Sequence, residues 1–138
     1  MSVKPIPDGY TAVTPYLVVH DAASLVGFLQ SAFGAEVVMR MPRPDGAIAH
    51  AELRIGGAAL MLGEACERMG EMPASLYLYL PGVDAVHARA LAAGAVTLGS
   101  LVTGTVLVRR IVLGNNHEPA RILIQPVHNA RARHSANA

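Results

Sequence analysis

His50 and Glu52 lie two residues apart in the run Ile48 to Ile55, which reads as a β-strand. Alternation along a strand puts both side chains on one face. There an imidazole and a carboxylate side by side either line a ligand cavity or form the solvated face of the strand. Tyr77 and Tyr79 repeat this spacing in Ser75 to Leu80, SLYLYL. Two phenol rings on one strand face can stack a flat ligand, or pack into a core or interface. Tyr16, in an earlier strand-like run, is the third aromatic candidate. Other chemistry-bearing residues read more plainly. Cys66 has no base beside it and behaves as a small apolar side chain. Glu64, Glu67 and Glu71 fall in the stretch from Gly63 to Pro73, expected to be a solvated loop, while His20 and His87 read as surface histidines near or on helices.

The elements that position these residues follow from periodicity. Ala12 to Val19 is a strand-length β-branched run. Asp21 then caps a helix whose Leu25, Leu29, Ala32 and Phe33 share one face, and Gly34 stops it. Three strands are expected next, at Glu36 to Met41, Ile48 to Ile55 and Ala58 to Leu62. Pro42-Arg43-Pro44-Asp45-Gly46 joins the first two, and Gly56-Gly57 the last two. From Ser75 the order begins again: a strand, a helix capped by Asp84 carrying Val86, Ala90 and Leu91, a stop at Gly94, then strands at Val96 to Leu98, Val106 to Leu113 and Arg121 to Gln125. The chain therefore reads as α+β, two βαβββ units spanning about 10–64 and 74–126 with a tail over 127–138. Neither unit can cover its own sheet alone, so paired units should form a curved mixed sheet with helices outside and a concave ligand cleft inside.

Composition narrows the function. Of the 138 residues 52% are hydrophobic and 15% charged, an apolar balance that points to a subunit interface or a cavity. The net charge of +1 offers no electrostatic footprint for nucleic acid or an anionic membrane. A single cysteine rules out an internal disulfide and a cysteine zinc site. Met-Ser-Val-Lys-Pro-Ile-Pro-Asp has no signal-peptide core and no apolar run could span a bilayer, so the expected location is the cytoplasm.

Several motifs carry a family resemblance: Thr14-Pro15-Tyr16-Leu17, Ala32-Phe33-Gly34-Ala35-Glu36, Pro44-Asp45-Gly46 and His50-Ala51-Glu52-Leu53, with SLYLYLPGVDAVHARALAAGA opening a second half. Over about residues 10–98 the chain resembles the vicinal oxygen chelate superfamily. Within it the likeness is to the glyoxalase/bleomycin-resistance family and its phosphonate-operon-associated branch. Beyond Gly99 it departs: Asn115-Asn116-His117-Glu118 stands where the family has an Asp-Pro-x-Gly turn.

Metal-dependent members of that superfamily hold one divalent ion with His and Glu side chains from four strands, two in each half. The resemblance places those positions on Thr14, Glu52, Tyr77 and, near the C-terminus, Ile122. Only Glu52 is a ligand, so no metal and no cofactor are expected; His117 or Glu118 could replace a lost ligand under a different register. The resemblance therefore implies a metal-free small-molecule-binding protein, sequestering an uncharged or weakly charged aromatic or antibiotic-like compound. Its ligand-binding candidates are His50, Glu52, Tyr16, Tyr77 and Tyr79, and no catalytic residue is assigned. A metal-dependent glyoxalase-type lyase or isomerase, or an extradiol-type dioxygenase, is the enzymatic alternative; a dimeric homologue with a degenerate cleft is another. A homodimer is expected in each case, and the separable halves permit strand exchange between subunits.

Overall fold

Asp21 and Gly34 bracket the first helix as the sequence suggests. In a computed structural model, which describes residues 3–72, 74–102, 105–110 and 121–126 (backbone alone from 98 onward), α1 spans Ala22–Phe33. The Asp21 carboxylate accepts from the Ser24 backbone N–H at 3.1 Å, and Gly34 closes the helix in the left-handed region at φ 65°. Ala22, Leu25, Val26, Phe28, Leu29, Ala32 and Phe33 are all buried along its inner face.

The remaining elements repeat one order twice: β1 (Tyr16–Val19), α1, β2 (Glu36–Pro42), β3 (Ile48–Ile55) and β4 (Ala58–Glu64), then β5 (Ser75–Leu80), α2 (Val83–Ala92), β6 (Ala95–Val102), β7 (Thr105–Arg110) and β8 (Arg121–Pro126). The paired α+β units with a curved, unclosed mixed sheet expected from periodicity are present. Hydrogen bonding divides the strands into two groups of four, ordered β1-β4-β3-β2 and β5-β8-β7-β6. In each, the first strand runs parallel to the last and the other pairs are antiparallel. Parallel strands need a crossover, which α1 and α2 provide.

One core serves both halves. Leu17, Val19, Leu53, Ile55, Leu60 and Leu62 meet the inner face of α1, and Leu80, Val86, Ala90 and Ala95 continue the same cluster. The Arg89 guanidinium also donates from Nε to the Ala32 carbonyl at 3.3 Å, tying α2 to the end of α1. From His50 onward β3 alternates: Ala51, Leu53 and Ile55 are buried and His50, Glu52 and Arg54 face the other way, while Ile48, across the register shift opposite Pro42, is buried too.

Three local expectations need correction. β1 begins at Tyr16 rather than Ala12, because Pro15 has no N–H to give a ladder and the chain before it turns across the sheet instead. Asp84 does not cap α2. That position is Gly82, in the left-handed region at φ 65° with no side-chain cap, while Asp84 sits in the first turn, where its charge opposes the positive end of the helix dipole. Leu91, placed on the buried face by its spacing, is exposed, and only Val86 and Ala90 are buried on that helix.

Glu64 is not a solvated loop residue. It is the last residue of β4, and its carboxylate accepts from the backbone N–H groups of Asp21 at 2.8 Å and Ala22 at 2.7 Å. Those donors at a helix start have no partner within the helix, and a carboxylate there meets the favourable end of the dipole. This contact holds Asp21 at φ 56°, a left-handed conformation that Asp tolerates better than most residues.

Candidate functional site

The inner face of the first sheet is built from cross-strand rows. Glu52 pairs with Met39 of β2 on one side and Met61 of β4 on the other, and Met61 pairs with Tyr16 of β1. Three of the five sequence candidates therefore fall within one small area. The Tyr16 hydroxyl lies 3.1 Å from His50 Nδ1, and the two rings stack with centroids 5.5 Å apart and planes 24° from parallel. His50 Nε2 lies 3.0 Å from Glu52 Oε1. The other Glu52 oxygen accepts from the Tyr10 hydroxyl.

These contacts fix the direction of the chain of hydrogen bonds. The Glu52 carboxylate can only accept, so His50 donates to it from Nε2; in the tautomer with that single ring proton, Nδ1 accepts from the Tyr16 hydroxyl. The result is an ordered series, Tyr16 to His50 to Glu52, met from the far side by Tyr10. Side-chain exposures of 24% for His50 and 12% for Glu52 leave the pair mostly sheltered but reachable.

Tyr10, which carries no site signal in the sequence, joins the cluster from the segment before β1. In the fold this segment crosses the concave face. Arg54 holds it there, its guanidinium donating to the Gly9 carbonyl at 2.5 Å and lying 5.1 Å from the Tyr10 ring centroid. Together with the sheet the segment borders an open cavity of about 410 Å³, whose walls include Ile6, Tyr10, Thr14, Met39, Glu52 and Met61. Met61 could have been found from sequence, since pairing β3 and β4 through Gly56-Gly57 puts it opposite Glu52; Met39 reaches that row only through the register shift between Met41 and Pro42. Tyr10 could not be found from sequence, because nothing local says where a proline-rich segment folds back.

The electrostatics follow from the same contacts. The His50 hydrogen bond, and after it that of Tyr10, holds the Glu52 carboxyl below the usual carboxylate range; accepting from Tyr10 in turn pushes the Tyr10 phenol above its usual value. The two signs differ. For Glu52 the stabilisation is complete above the unfolded carboxyl pKa of about 4.3 and is lost as pH falls through the lowered folded value. For Tyr10 it is complete below about 10 and is lost as pH rises through the raised folded value. Denaturation midpoints of the parent and Glu52→Gln, followed from pH 3 to 11, should differ most between these limits, converge as pH falls through the lowered Glu52 value and narrow as pH rises through the raised Tyr10 value. A difference independent of pH would rule out the ionised Glu52 as the source.

Tyr77 and Tyr79 are not brought to this cluster. Their β5 neighbours Leu76, Leu78 and Leu80 turn toward the helices, while the two tyrosines are 47% and 63% exposed on the other face, with rings 5.2 Å apart at 45°. They line neither cavity of the first half.

Thr14 and Glu52, two of the positions that hold metal in the family resembled, do line the same cavity. The donors nonetheless do not fit a divalent ion. Threonine is no substitute for a His or Glu ligand, both Glu52 oxygens already have partners, and among the described residues no three His, Cys, Asp or Glu side chains converge. His117, Glu118 and the Ile122 side chain lie outside the described residues.

No protein-family model matches the chain. An uncharacterized protein of Mycobacterium bovis, Mb0911c, is 40% identical over 101 residues, covering 65% of this chain and 66% of that protein. The match covers 59% of the related Mycobacterium tuberculosis protein Rv0887c, so the chain spans under two thirds of the length of these relatives. Among solved structures, a glyoxalase/bleomycin resistance protein from Catenulispora acidiphila superposes with a TM-score of 0.57 at 19% identity, covering 84% of this chain and 97% of that one. The chain has the glyoxalase/bleomycin-resistance fold.

Other proteins with the glyoxalase/bleomycin-resistance fold differ in what they carry. TnmS3, an antibiotic binding protein from a Streptomyces species, superposes with a TM-score of 0.61 at 17% identity, covering 85% of this chain and 98% of that one. A variant of the fosfomycin resistance protein FosX from Listeria monocytogenes, in complex with Mn(II) and a dihydroxypropylphosphonic acid, gives 0.62 at 16%, covering 93% and 98%. The fold thus accommodates antibiotic binders as well as metal-containing resistance proteins, and the residues at the site must decide between them.

Proposed function

We propose that this chain binds a small, partly aromatic molecule on the concave face of its first sheet, without a metal ion. The observation that carries this reading is the cavity of about 410 Å³ between the sheet and the segment around Tyr10. Its size lies within the usual range for small-molecule sites, and its makeup is the usual one: apolar walls with a few polar groups to fix orientation. Met39 and Met61 supply adaptable, polarisable contacts for an aromatic body. Glu52, His50 and Tyr16 supply the anchors. Tyr77 and Tyr79 remain in the proposal as a stacking surface on the second sheet. That proteins with this fold include an antibiotic binder is consistent with sequestration as the biological use.

The test uses 1-naphthamide as an uncharged aromatic probe. The protein contains no tryptophan, so naphthalene fluorescence can be read without interference. Saturable binding is expected in the parent, with at least about a tenfold loss, equivalent to 1.4 kcal/mol, when Met61→Glu puts a charge into the apolar wall. No saturable binding, or binding indifferent to Met61→Glu, would remove the concave face as the site.

The proposed working form is a cytoplasmic homodimer. Among the described residues no helix is long and apolar enough to cross a membrane. Among the described residues β2 is the edge strand of its sheet and exposes Val37, Val38, Met39 and Met41, an apolar edge of the kind that invites a second chain. Light scattering should give twice the chain mass of 14.5 kDa; a monomer at micromolar concentration would refute the dimer and leave the binding proposal standing.

A further inference from the structure

A second cavity, of about 170 Å³, lies on the same sheet face toward the other end of the strands. Its walls include Tyr16, Val18, Gly63, Cys66 and Met69, with Arg43 from the β2–β3 turn. It is continuous in chemistry with the first cavity, because Tyr16 in this lining and Glu52 in the other are joined through His50.

Arg43 is the unusual member. Its Nε is buried and has no hydrogen-bond partner. The nearest carboxylate oxygen, Asp45 Oδ1, is 4.0 Å away, beyond hydrogen-bond reach, and already accepts from the Ala47 backbone N–H at 3.0 Å. Glu64 also borders the cavity, but both its oxygens are taken by the two backbone N–H groups at the start of α1. Arg43 therefore borders a cavity in which neither carboxylate hydrogen-bonds its buried Nε. Buried donors are rarely left so in folded proteins, and an orphaned one calls for a partner from outside.

We propose that this cavity is a subsite for the anionic group of the ligand, a carboxylate or similar monoanion received by Arg43. The Tyr16 hydroxyl is committed to His50, so the arginine is the charged donor the subsite offers. An anion here replaces a missing partner with a charge-assisted hydrogen bond, the stronger class of such contacts. Its aromatic body would lie across the Tyr16 and His50 rings toward Met61. This inference rests on the proposed concave-face binding and specifies its ligand: an aromatic acid rather than a neutral compound. The net charge of +1 does not oppose such a ligand.

The experiment compares 1-naphthoate with 1-naphthamide, its uncharged analogue, by calorimetric titration at pH 7.5 in the parent and in Arg43→Gln. The expected result is naphthoate binding at least about tenfold tighter than the amide in the parent, a preference that Arg43→Gln removes because naphthoate loses far more affinity than the amide, which still binds. Retained amide binding also shows that the variant is folded. Equal affinities in the parent, or a preference for naphthoate that survives in Arg43→Gln, would overturn the anion subsite and leave the concave-face reading intact. Failure of both probes to bind the parent would overturn both.

Discussion

Leu53→Ala is expected to lower stability by about 2–5 kcal/mol, the range for truncating a fully buried leucine. Leu53 has no exposed surface and belongs to the cluster beneath α1. Its cross-strand partners are Val37 and Leu60, and removing its side chain leaves a void between the sheet and the helix that neither can fill. Its neighbour Glu52 gives the contrast. That side chain faces the cavity, so Glu52→Gln should cost little at neutral pH beyond its hydrogen-bonded charge, while changing ligand affinity. Urea denaturation of the two variants measures the difference. Similar losses in both would contradict the assignment of adjacent residues to opposite faces of β3.

Gly63→Ala is the second substitution with a large expected effect, about 1–3 kcal/mol of destabilisation with a change at the site as well. Gly63 needs no special backbone angle; it needs the absence of a side chain. A Cβ there would stand 2.7 Å from the Ala49 carbonyl oxygen and 3.1 Å from the Tyr16 hydroxyl. The first distance involves a neighbouring strand's backbone, which cannot swing aside as a side chain can. The second falls on the route by which Tyr16 reaches His50. Moving either group should lengthen the hydrogen bond to His50 Nδ1, and the ring ¹⁵N shift of that atom reports it. A Gly63→Ala protein as stable as the parent, with that shift unchanged, would show that the glycine is not needed for the approach.

Local chemistry made much of the framework legible. The Asp21 cap and Gly34 stop left α1 little freedom, and the hairpin signals at Pro42 to Gly46 and Gly56-Gly57 set β3 within its observed bounds. The period-two pattern of Ile48 to Ile55 also put His50 and Glu52 on a common face. Where local signals were misleading, a longer-range partner had prevailed. Glu64 looked like one of three loop glutamates, yet the two N–H groups that bind it belong to residues more than forty positions earlier. Asp84 looked like a cap, but the left-handed backbone at Gly82 starts the helix before it. Tyr77 and Tyr79 were grouped with Tyr16 on residue type alone, and the fold puts them on a different sheet.

By itself the sequence determined the α+β class, the repeated order of elements and the face of β3 that carries His50 and Glu52, because these depend on periodicity and turn chemistry within a few residues. Only the tertiary structure decided the partners of those side chains. Tyr10 reaches Glu52 across forty-two positions, Tyr16 reaches His50 across thirty-four, and Arg43 shares a cavity wall with β1, β4 and the segment at Cys66 and Met69. Such contacts follow from how chain segments cross in space, and no local propensity encodes that crossing.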